Sequence, residues 1–330
     1  MNDPLPYPVC ASHAQIVDRT YEDFDLQSQQ LSGCDQRYFQ LSPGSFQGRF
    51  LSVELGARLS FHFEHANRRL QQFVGFPAGL VSLGLVFSDG EPFLANGIPL
   101  GRDDLMLCRP GGELNLISPP GGAIMALCLE QSMLAAQPGA MGLSDLFEPR
   151  RGSITIHTQP SLATRLREDV LLAIEACRAL ASRADPAALE RLEQTTIACI
   201  LGQLGLFGLA SDAPAAKAAP DGYGQFRRTL GALMADREAP LDYAALMQAT
   251  GLKRRSLQLV LARHLRMTPS QFSRTVRLNG VRRTLVRGLE ERETIGDVAE
   301  RFGFSSWSKF SRHYADLFGE LPSVTRGRFG

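Results

Sequence analysis

The sequence lacks the signatures of several large protein classes. Its six cysteines form no CxxC pair and no Cys/His cluster, which argues against a zinc finger and against a disulfide framework, and we expect all six to be buried thiols. They are Cys10, Cys34, Cys108, Cys128, Cys177 and Cys199. There is no nucleophile elbow, no P-loop and no dinucleotide-binding fingerprint. We therefore predict neither an enzyme nor a cofactor.

Long hydrophobic runs are also missing. No stretch approaches the roughly 18 uninterrupted apolar residues of a membrane span, and the first residues, MNDPLPYPVC, have neither a basic segment nor an apolar segment of a secretory signal. We expect a cytoplasmic protein without a membrane partner.

Charge is balanced over the 330 residues but not along them. The whole chain has a net charge of +1, whereas residues 222–330 carry 19 Lys and Arg against 10 Asp and Glu and residues 1–221 carry 16 against 24. A basic half of +9 and an acidic half of −8 indicate at least two domains with different partners. The basic domain is a candidate for binding a polyanion such as nucleic acid.

Residues 46–130 consist of short apolar runs separated by Gly and Pro. Alternation at Leu59, Phe61 and Phe63 predicts strands with one buried face, and we interpret PGG at 110–112 and PPGG at 119–122 as hairpin turns. Several short strands at this spacing favour an antiparallel sandwich or a small barrel.

After Pro160 the apolar spacing becomes helical. One stripe runs from Leu162 to Leu180, and Asp185-Pro186 predicts the start of a second helix, so we expect an antiparallel helical hairpin. The hairpin either covers one side of the strands or pairs two chains. Residues 211–222, SDAPAAKAAPDG, are the best candidate for an interdomain linker.

The basic half contains the same predicted arrangement twice. Each copy consists of a short helix, a turn with glycine and a longer helix. The two segments are residues 241–265 with Gly251 and residues 294–318 with Gly303, which is the layout of a helix-turn-helix. Thr268 with Gln271 predicts a capping box, and we expect Thr294 and Ser305 to cap two later helices.

Helical angles separate a packing face from an outer face in each longer helix. In the first, Leu257, Leu261 and Leu265 point inward, and in the second Phe310, Tyr314, Leu317 and Phe318 do so. Arginine and amide side chains then lie outward, where they match the hydrogen-bonding edges of guanine and adenine in a major groove.

The segment GLKRRSLQLVLARHLRMTPSQFSRTVRLNGVRRTL and the later run IGDVAERFGFSSWSKFSRHY resemble the DNA-binding domain of the AraC/XylS family of bacterial transcription regulators. The resemblance covers roughly residues 225–328. It implies two helix-turn-helix units joined by a linker helix, here residues 269–287, with recognition helices in successive major grooves. Such a helix would span about 28 Å at ~1.5 Å per residue, close to the ~34 Å of one DNA turn.

Carried onto this sequence, the resemblance places DNA contacts on the two longer helices. The predicted DNA-binding residues are Arg254, Arg255, Gln258, Leu259, Trp307, Ser308, Lys309, Ser311 and Arg312. Phosphate ligands are expected among Arg254, Arg263, Arg266, Arg274, Arg282, Arg283 and Lys309.

Two positions depart from the family pattern. Lys253 stands where members often have a capping Ser, and Leu259 stands where they often have a base-reading Arg. Leu259 either contacts a thymine methyl group or belongs to a unit that mainly holds phosphates. Trp307 either reads DNA or packs against its own domain.

The resemblance also implies a cupin-like jelly roll in the amino-terminal half, with a small-molecule effector. Phe61 and Phe63 are candidates to line its pocket or to be ordinary core. His62, Glu64 and His65 lie close together, but only His62 and Glu64 share a strand face, so hydrogen bonding is favoured over a metal site and no metal is predicted.

The fold class we predict is α+β. It comprises a cupin-like antiparallel β-barrel (1–160), a helical hairpin for dimerisation (161–210), a linker (211–222) and an all-α DNA-binding domain (223–330). We expect a sequence-specific regulator, an activator, with double-stranded DNA, RNA polymerase, an effector and a second copy as partners. The alternatives are a regulator without effector, or a cupin-like metal-dependent enzyme fused to a DNA-binding domain.

Overall fold

The computed structural model describes residues 14–31, 33–134, 154–183, 185–206, 216–290 and 293–329. The chain divides into two compact units. The first comprises residues 1–38, 47–67 and 72–218, and the second comprises residues 39–46, 68–71 and 219–330. Of the predicted linker, 211–215 lies outside the described residues, and 216–222 contains no helix or strand.

The first part of the chain is built from strands in two antiparallel sheets. The described strands are β1 Gln15–Tyr21, β2 Asp35–Gln40, β3 Gly48–Leu55, β4 Leu59–Ala66, β5 Leu70–Gly75, β6 Leu80–Val86, β7 Phe93–Ala95, β8 Ile98–Leu100, β9 Asp104–Cys108, β10 Glu113–Ser118, β11 Gly122–Glu130 and β12 Ile154–Thr158. One sheet has the order β1-β3-β4-β11-β6-β9-β12 and the other β2-β5-β10-β7-β8. Among the described strands, the two sheets do not close into one barrel, so the two-sheet form of the jelly roll is the one present.

The glycine turns at 110–112 and 119–122 connect the two sheets and are not hairpins. Strand β9 belongs to the larger sheet, β10 to the smaller and β11 to the larger again. Gly111 and Gly121 have φ of 68° and 73°, which is why glycine occupies these turns. The prediction of hairpins was wrong because a tight glycine turn marks a reversal without saying which strand the chain pairs with next.

The larger sheet has a different layer on each face. Leu59 and Phe61 of β4 lie on the face that packs against two helices, α3 Pro160–Ala181 and α4 Pro186–Leu206. His62 and Glu64, one position on, point into the space between the sheets. Phe63, expected as a possible pocket residue together with Phe61, packs against Phe87 on the helix-facing side. Neither phenylalanine lines the pocket: Phe61 belongs to the core, and the half-buried Phe63 packs against it.

The helical hairpin covers the outer face of the larger sheet. The predicted stripe is buried, with Leu162, Leu166 and Val170 fully enclosed. Asp185 accepts a hydrogen bond from the Ala188 N–H at 2.9 Å, so it caps α4 as predicted. Each such leucine contributes on the order of 1.5–3 kcal/mol by leaving water, and this packing holds α3 and α4 on the sheet.

An ion pair anchors the hairpin at the turn between β3 and β4. Glu193 of α4 accepts the Arg58 backbone N–H and its Nε, both at 2.8 Å, and also contacts the second guanidinium nitrogen. Gly56 has φ of 75°, and a Cβ there would lie 2.5 Å from the Glu193 carboxyl carbon. The close approach of the turn to the helix therefore requires glycine at this position.

The cysteines are less uniform than predicted. Cys108, Cys128 and Cys177 are buried and Cys34 is half-buried, while Cys10 lies outside the described residues. Cys199 is exposed, and its Sγ lies 3.4 Å from Asp169 Oδ2. It sits one residue, about 100° of helix, from the sheet-facing Ile200, so the expectation of a buried thiol was wrong here.

Other helices complete the described structure. Two short ones, α1 Phe24–Ser28 and α2 Gln131–Leu134, lie among the strands. The second unit contains α5 Tyr223–Ala235, α6 Tyr243–Thr250, α7 Arg254–Leu265, α8 Pro269–Arg287, α9 Ile295–Arg301, α10 Trp307–Phe318 and α11 Pro322–Phe329. No helix of the described residues is long and apolar enough to cross a membrane.

Candidate nucleic-acid interface

The first helix-turn-helix consists of α6 and α7. Asp242 caps α6 by accepting the N–H groups of Ala244 and Ala245 at 2.7 and 3.3 Å. Gly251 ends α6 with φ of 69°, a left-handed conformation that glycine adopts without strain. Lys253 is the exposed residue that precedes α7, and it makes no side-chain capping bond because an ammonium group has no acceptor for the free N–H groups.

The buried and exposed faces of α7 are those that its helical angles predict. Leu257, Leu261 and Leu265 are buried, while Arg254, Arg255 and Gln258 are exposed. Leu259 is 59% exposed, although an apolar side chain there gains nothing from water. The guanidinium of Arg254 lies over the ring of Tyr243 at 4.2 Å, which fixes the direction of this side chain.

The second helix-turn-helix consists of α9 and α10. Thr294 and Asp297 form a capping box at the start of α9, confirming that predicted cap. Gly303 has φ of 71° in the turn. The residue at the start of α10 is Ser306 and not Ser305, and it makes no side-chain capping bond. The cap prediction missed by one residue because two serines are adjacent and sequence alone does not choose between them.

An aromatic ladder on α10 fixes its orientation. Phe310, Tyr314 and Phe318 are buried and in ring contact with one another, at centroid distances of 5.8 and 4.7 Å. Trp307 contacts Phe310 at 5.5 Å but is 55% exposed. Its ring therefore rests on the domain with one side open to solvent. Ser308, Lys309 and Arg312 are exposed and Ser311 is half-buried.

The linker helix α8 holds the turn of the second unit. Its bounds, Pro269–Arg287, match the predicted 269–287, and Thr268 and Gln271 form the predicted capping box. Arg277 donates hydrogen bonds to the carbonyl oxygens of Phe302 and Gly303, both at 3.0 Å. Sequence reasoning passed over Arg277, because an arginine on a helix gives no sign that it bonds a distant turn.

Gly280 of α8 is a second residue that the sequence did not single out. A Cβ at this position would lie 2.2 Å from the Phe302 ring. Glycine inside a helix costs about 1 kcal/mol relative to alanine, so its presence signals a close packing contact. Here that contact lets Phe302 of the turn lie directly against α8.

Arg282, predicted as a phosphate ligand, is instead a buried structural residue. Only 3% of its side chain is exposed, and it pairs with Glu320 at 2.7 Å and donates to Thr325 at 3.3 Å. Thr325 also accepts the Tyr314 hydroxyl at 2.9 Å. Burial alone would raise the pKa of Glu320, but hydrogen bonds from Arg282 and Thr325 and the charge of Arg282 outweigh it and lower that pKa. The prediction failed because helix periodicity does not reveal a carboxylate that arrives from the turn between α10 and α11.

The other phosphate candidates differ in accessibility. Arg263 and Arg266 are exposed, and Arg263 donates to the carbonyl of Asp221 at 3.0 Å. Arg274 and Arg283 are half-buried. Some arginines of the helical domain thus lie on its surface, and others lie in internal contacts.

The compact unit that holds the two sheets contains a cavity of about 60 Å³ between them. His62 and Glu64 line it, as a shared strand face requires. Burial lowers the pKa of His62 to about 4 and raises the pKa of Glu64. Within the described ranges, no three His, Cys, Asp or Glu side chains are grouped as a metal ion would need.

Comparison with known proteins places these features in a family. A sequence profile described as a helix-turn-helix domain matches residues 246–328. A crystal structure described as a probable AraC family transcriptional regulator from Rhodopseudomonas palustris is 30% identical, over 32% of this chain and 96% of that one, with a TM-score of 0.30. The chain belongs to the AraC/XylS family.

Two curated relatives show how far the similarity extends. The "probable thc operon regulatory protein" of Rhodococcus erythropolis is 31% identical over 91 residues, which is 28% of this chain and 27% of that protein. XylDLEGF operon transcriptional activator 2 of Pseudomonas putida is 35% identical over 71 residues, 22% of this chain and 45% of that protein. The chain thus spans less than half the length of these two relatives.

Proposed function

We propose that the protein is a sequence-specific DNA-binding transcription regulator, and an activator, that inserts α7 and α10 into adjacent major grooves. The observation that carries this proposal is the duplicated helix-turn-helix, in which both second helices bury an apolar stripe and expose arginine and amide or hydroxyl side chains. Such a face matches the donor and acceptor pattern of base edges in the major groove.

The exposed side chains divide into two roles. Arg255, Gln258 and Arg312 read base edges, because guanidinium binds guanine with two hydrogen bonds and an amide does the same with adenine. Leu259 contacts a thymine methyl group, a role that its exposure supports. Phosphate contacts then come from Arg254 and Lys309, and Trp307, Ser308 and Ser311 complete the α10 surface.

The linker helix supports simultaneous binding by both units. It has 19 residues, which corresponds to about 28 Å at ~1.5 Å per residue. One turn of DNA measures ~34 Å. Since Arg277 and Gly280 fix the second turn against this helix, the spacing between the two recognition helices is rigid at that end.

Arg312→Ala tests the proposal. We expect ~1–3 kcal/mol weaker binding to the preferred DNA sequence and relaxed preference at one base pair, because one bidentate contact is lost. The measurement is competition binding against a library of operator variants. Arg183→Ala, an exposed arginine in the turn of the hairpin, is the matched control and should leave both quantities unchanged. Equal loss on specific and random DNA contradicts a base-reading role.

We extend the proposal to the domains and partners. Residues 1–160 form the sensing domain, 161–210 the dimerisation hairpin, 211–222 the linker and 223–330 the DNA-binding domain.

The cavity supports binding of an effector, and the exposed Leu171, Leu172 and Leu206 support pairing of two hairpins. RNA polymerase is the partner that an activator requires, and we place the protein in the cytoplasm. An effector acts only if it favours one arrangement of the domains.

A further inference from the structure

The cavity between the two sheets has an apolar wall and one acidic side chain. Its apolar surface comes from both sheets, with Leu31, Phe50, Val74, Phe76, Met106 and Ile124 among the lining residues. Glu64 lies in this wall and is 8% exposed. Placing a carboxylate in such surroundings is costly unless a positive charge compensates it.

Within the described residues, the hydrogen bonds to Glu64 come from neutral groups. Gln27 Nε2 donates to Oε1 at 2.8 Å, and Tyr38 OH and Gln72 Nε2 donate to Oε2 at 3.1 and 2.9 Å. Among the residues that the structure describes, no Lys or Arg forms an ion pair with Glu64. A carboxylate accepts about four hydrogen bonds, so these three donors leave one position on Oε1 open.

The neighbouring histidine does not supply the missing charge. His62 lies between Ser52 and Ser60, whose hydroxyls are 3.1 Å from Nδ1 and 2.9 Å from Nε2. Burial lowers the pKa of His62 to about 4, so the ring is neutral at pH 7. His62 therefore supplies no positive charge beside Glu64, and the apolar lining disfavours an anionic ligand.

We propose that this cavity binds a small alkylammonium ion, with its nitrogen against Glu64 and its hydrocarbon chain against Val74, Met106 and Ile124. The inference rests on the proposed role of residues 1–160 as an effector-binding domain and names the chemical class of the effector. An ammonium group adds the hydrogen bond that Oε1 lacks and the charge that the surrounding residues lack.

The volume limits the size of the ligand. A buried water needs roughly 10–15 Å³ of such space, so a cavity of about 60 Å³ holds about four to six non-hydrogen atoms. Propylammonium, with four, is a suitable probe. Ligands this small bind no tighter than about 40 µM even at the best known efficiency per atom, so the assay needs millimolar ligand.

Thermal unfolding and calorimetric titration of the full chain with propylammonium chloride test the proposal. We expect the melting temperature to rise by about 3 °C at ten times the dissociation constant. The same concentration of 1-propanol, which lacks the charge, or of sodium propionate, which reverses it, should shift it by less than about 1 °C. No binding of propylammonium by folded protein at 20 mM, or equal binding of 1-propanol, overturns the proposal.

Two variants locate the binding site. Glu64→Gln keeps the shape and loses the charge, and Ala126→Val keeps Glu64 and fills the wall of the cavity. Each should weaken propylammonium binding at least tenfold, and Ala126→Val alone decides the matter if Glu64→Gln does not fold. Unchanged affinity in a folded variant contradicts the site. These measurements involve no DNA. If propylammonium does not bind while specific DNA binding is intact, only the proposed ligand class is contradicted, and the proposed regulator function is not.

Discussion

At the scale of single residues, an arginine is the hardest side chain to assign from sequence. Arg312 and Arg282 both follow helical spacing in a basic segment, yet Arg312 is exposed and Arg282 is enclosed by Glu320 and Thr325. The faces of α7 and α10 could be predicted because leucine and aromatic stripes determine them. The roles of Arg277, Arg282 and Gly280 could not be predicted, since they depend on partners in turns that are distant along the chain.

Arg282→Ala should destabilise the protein more than it alters DNA binding. Removing the buried Arg282 leaves the half-buried Glu320 with only the more distant Arg328, at 3.5 Å, which costs about 3 kcal/mol. Urea unfolding of the full chain measures this, with the exposed Arg326→Ala as control. Unchanged stability together with a smaller salt dependence of DNA affinity would restore Arg282 as a phosphate ligand.

His62 makes the sheet unit sensitive to acid. Its pKa of about 4 in the folded protein lies below the ~6.5 of an unfolded chain, so the unfolded state binds more protons between these values. Stability is fully present above pH 6.5 and falls by roughly 2 kcal/mol between pH 7 and pH 4.5. His62→Gln, which can still bond Ser52 and Ser60, should flatten this slope in urea titrations. A slope unaffected by the substitution would mean that other groups cause it.

At the scale of elements, the sequence predicted local structure well and pairing poorly. The linker helix, both helix-turn-helix units and the hairpin stripes are where periodicity and caps placed them. The glycine turns at 110–112 and 119–122 were assigned to hairpins, because strand pairing is a long-range property that short segments do not encode. The same limit hid which face of β4 borders the cavity and which borders α3 and α4.

The hairpin carries a prediction about assembly. Leu172 of α3 is 69% exposed, and together with Leu171 it forms an apolar patch that a second copy would cover. Leu172→Glu should convert a dimer to a monomer in sedimentation at micromolar concentration. Leu321→Glu, at another half-exposed leucine outside the hairpin, is the control. A wild-type chain that already sediments as a monomer contradicts dimerisation.

At the scale of the whole molecule, the opposed charges of the two halves correspond to two kinds of structure. The +9 segment forms the helical unit with its duplicated helix-turn-helix, and the −8 segment forms the two sheets and the hairpin. Charge asymmetry and helix periodicity together indicated DNA binding. The cavity chemistry could not be predicted, since Glu64, Tyr38 and Gln72 meet only through the sheet fold.

The central claim is that α7 and α10 read one DNA site together. Selection of bound sequences from random double-stranded DNA by the full chain, followed by sequencing, tests it most directly. We predict two short conserved elements whose centres lie about 10 base pairs apart, with Arg312→Ala erasing preference in one element only. No enriched sequence, or a single element unaffected by Arg312→Ala, would contradict the account.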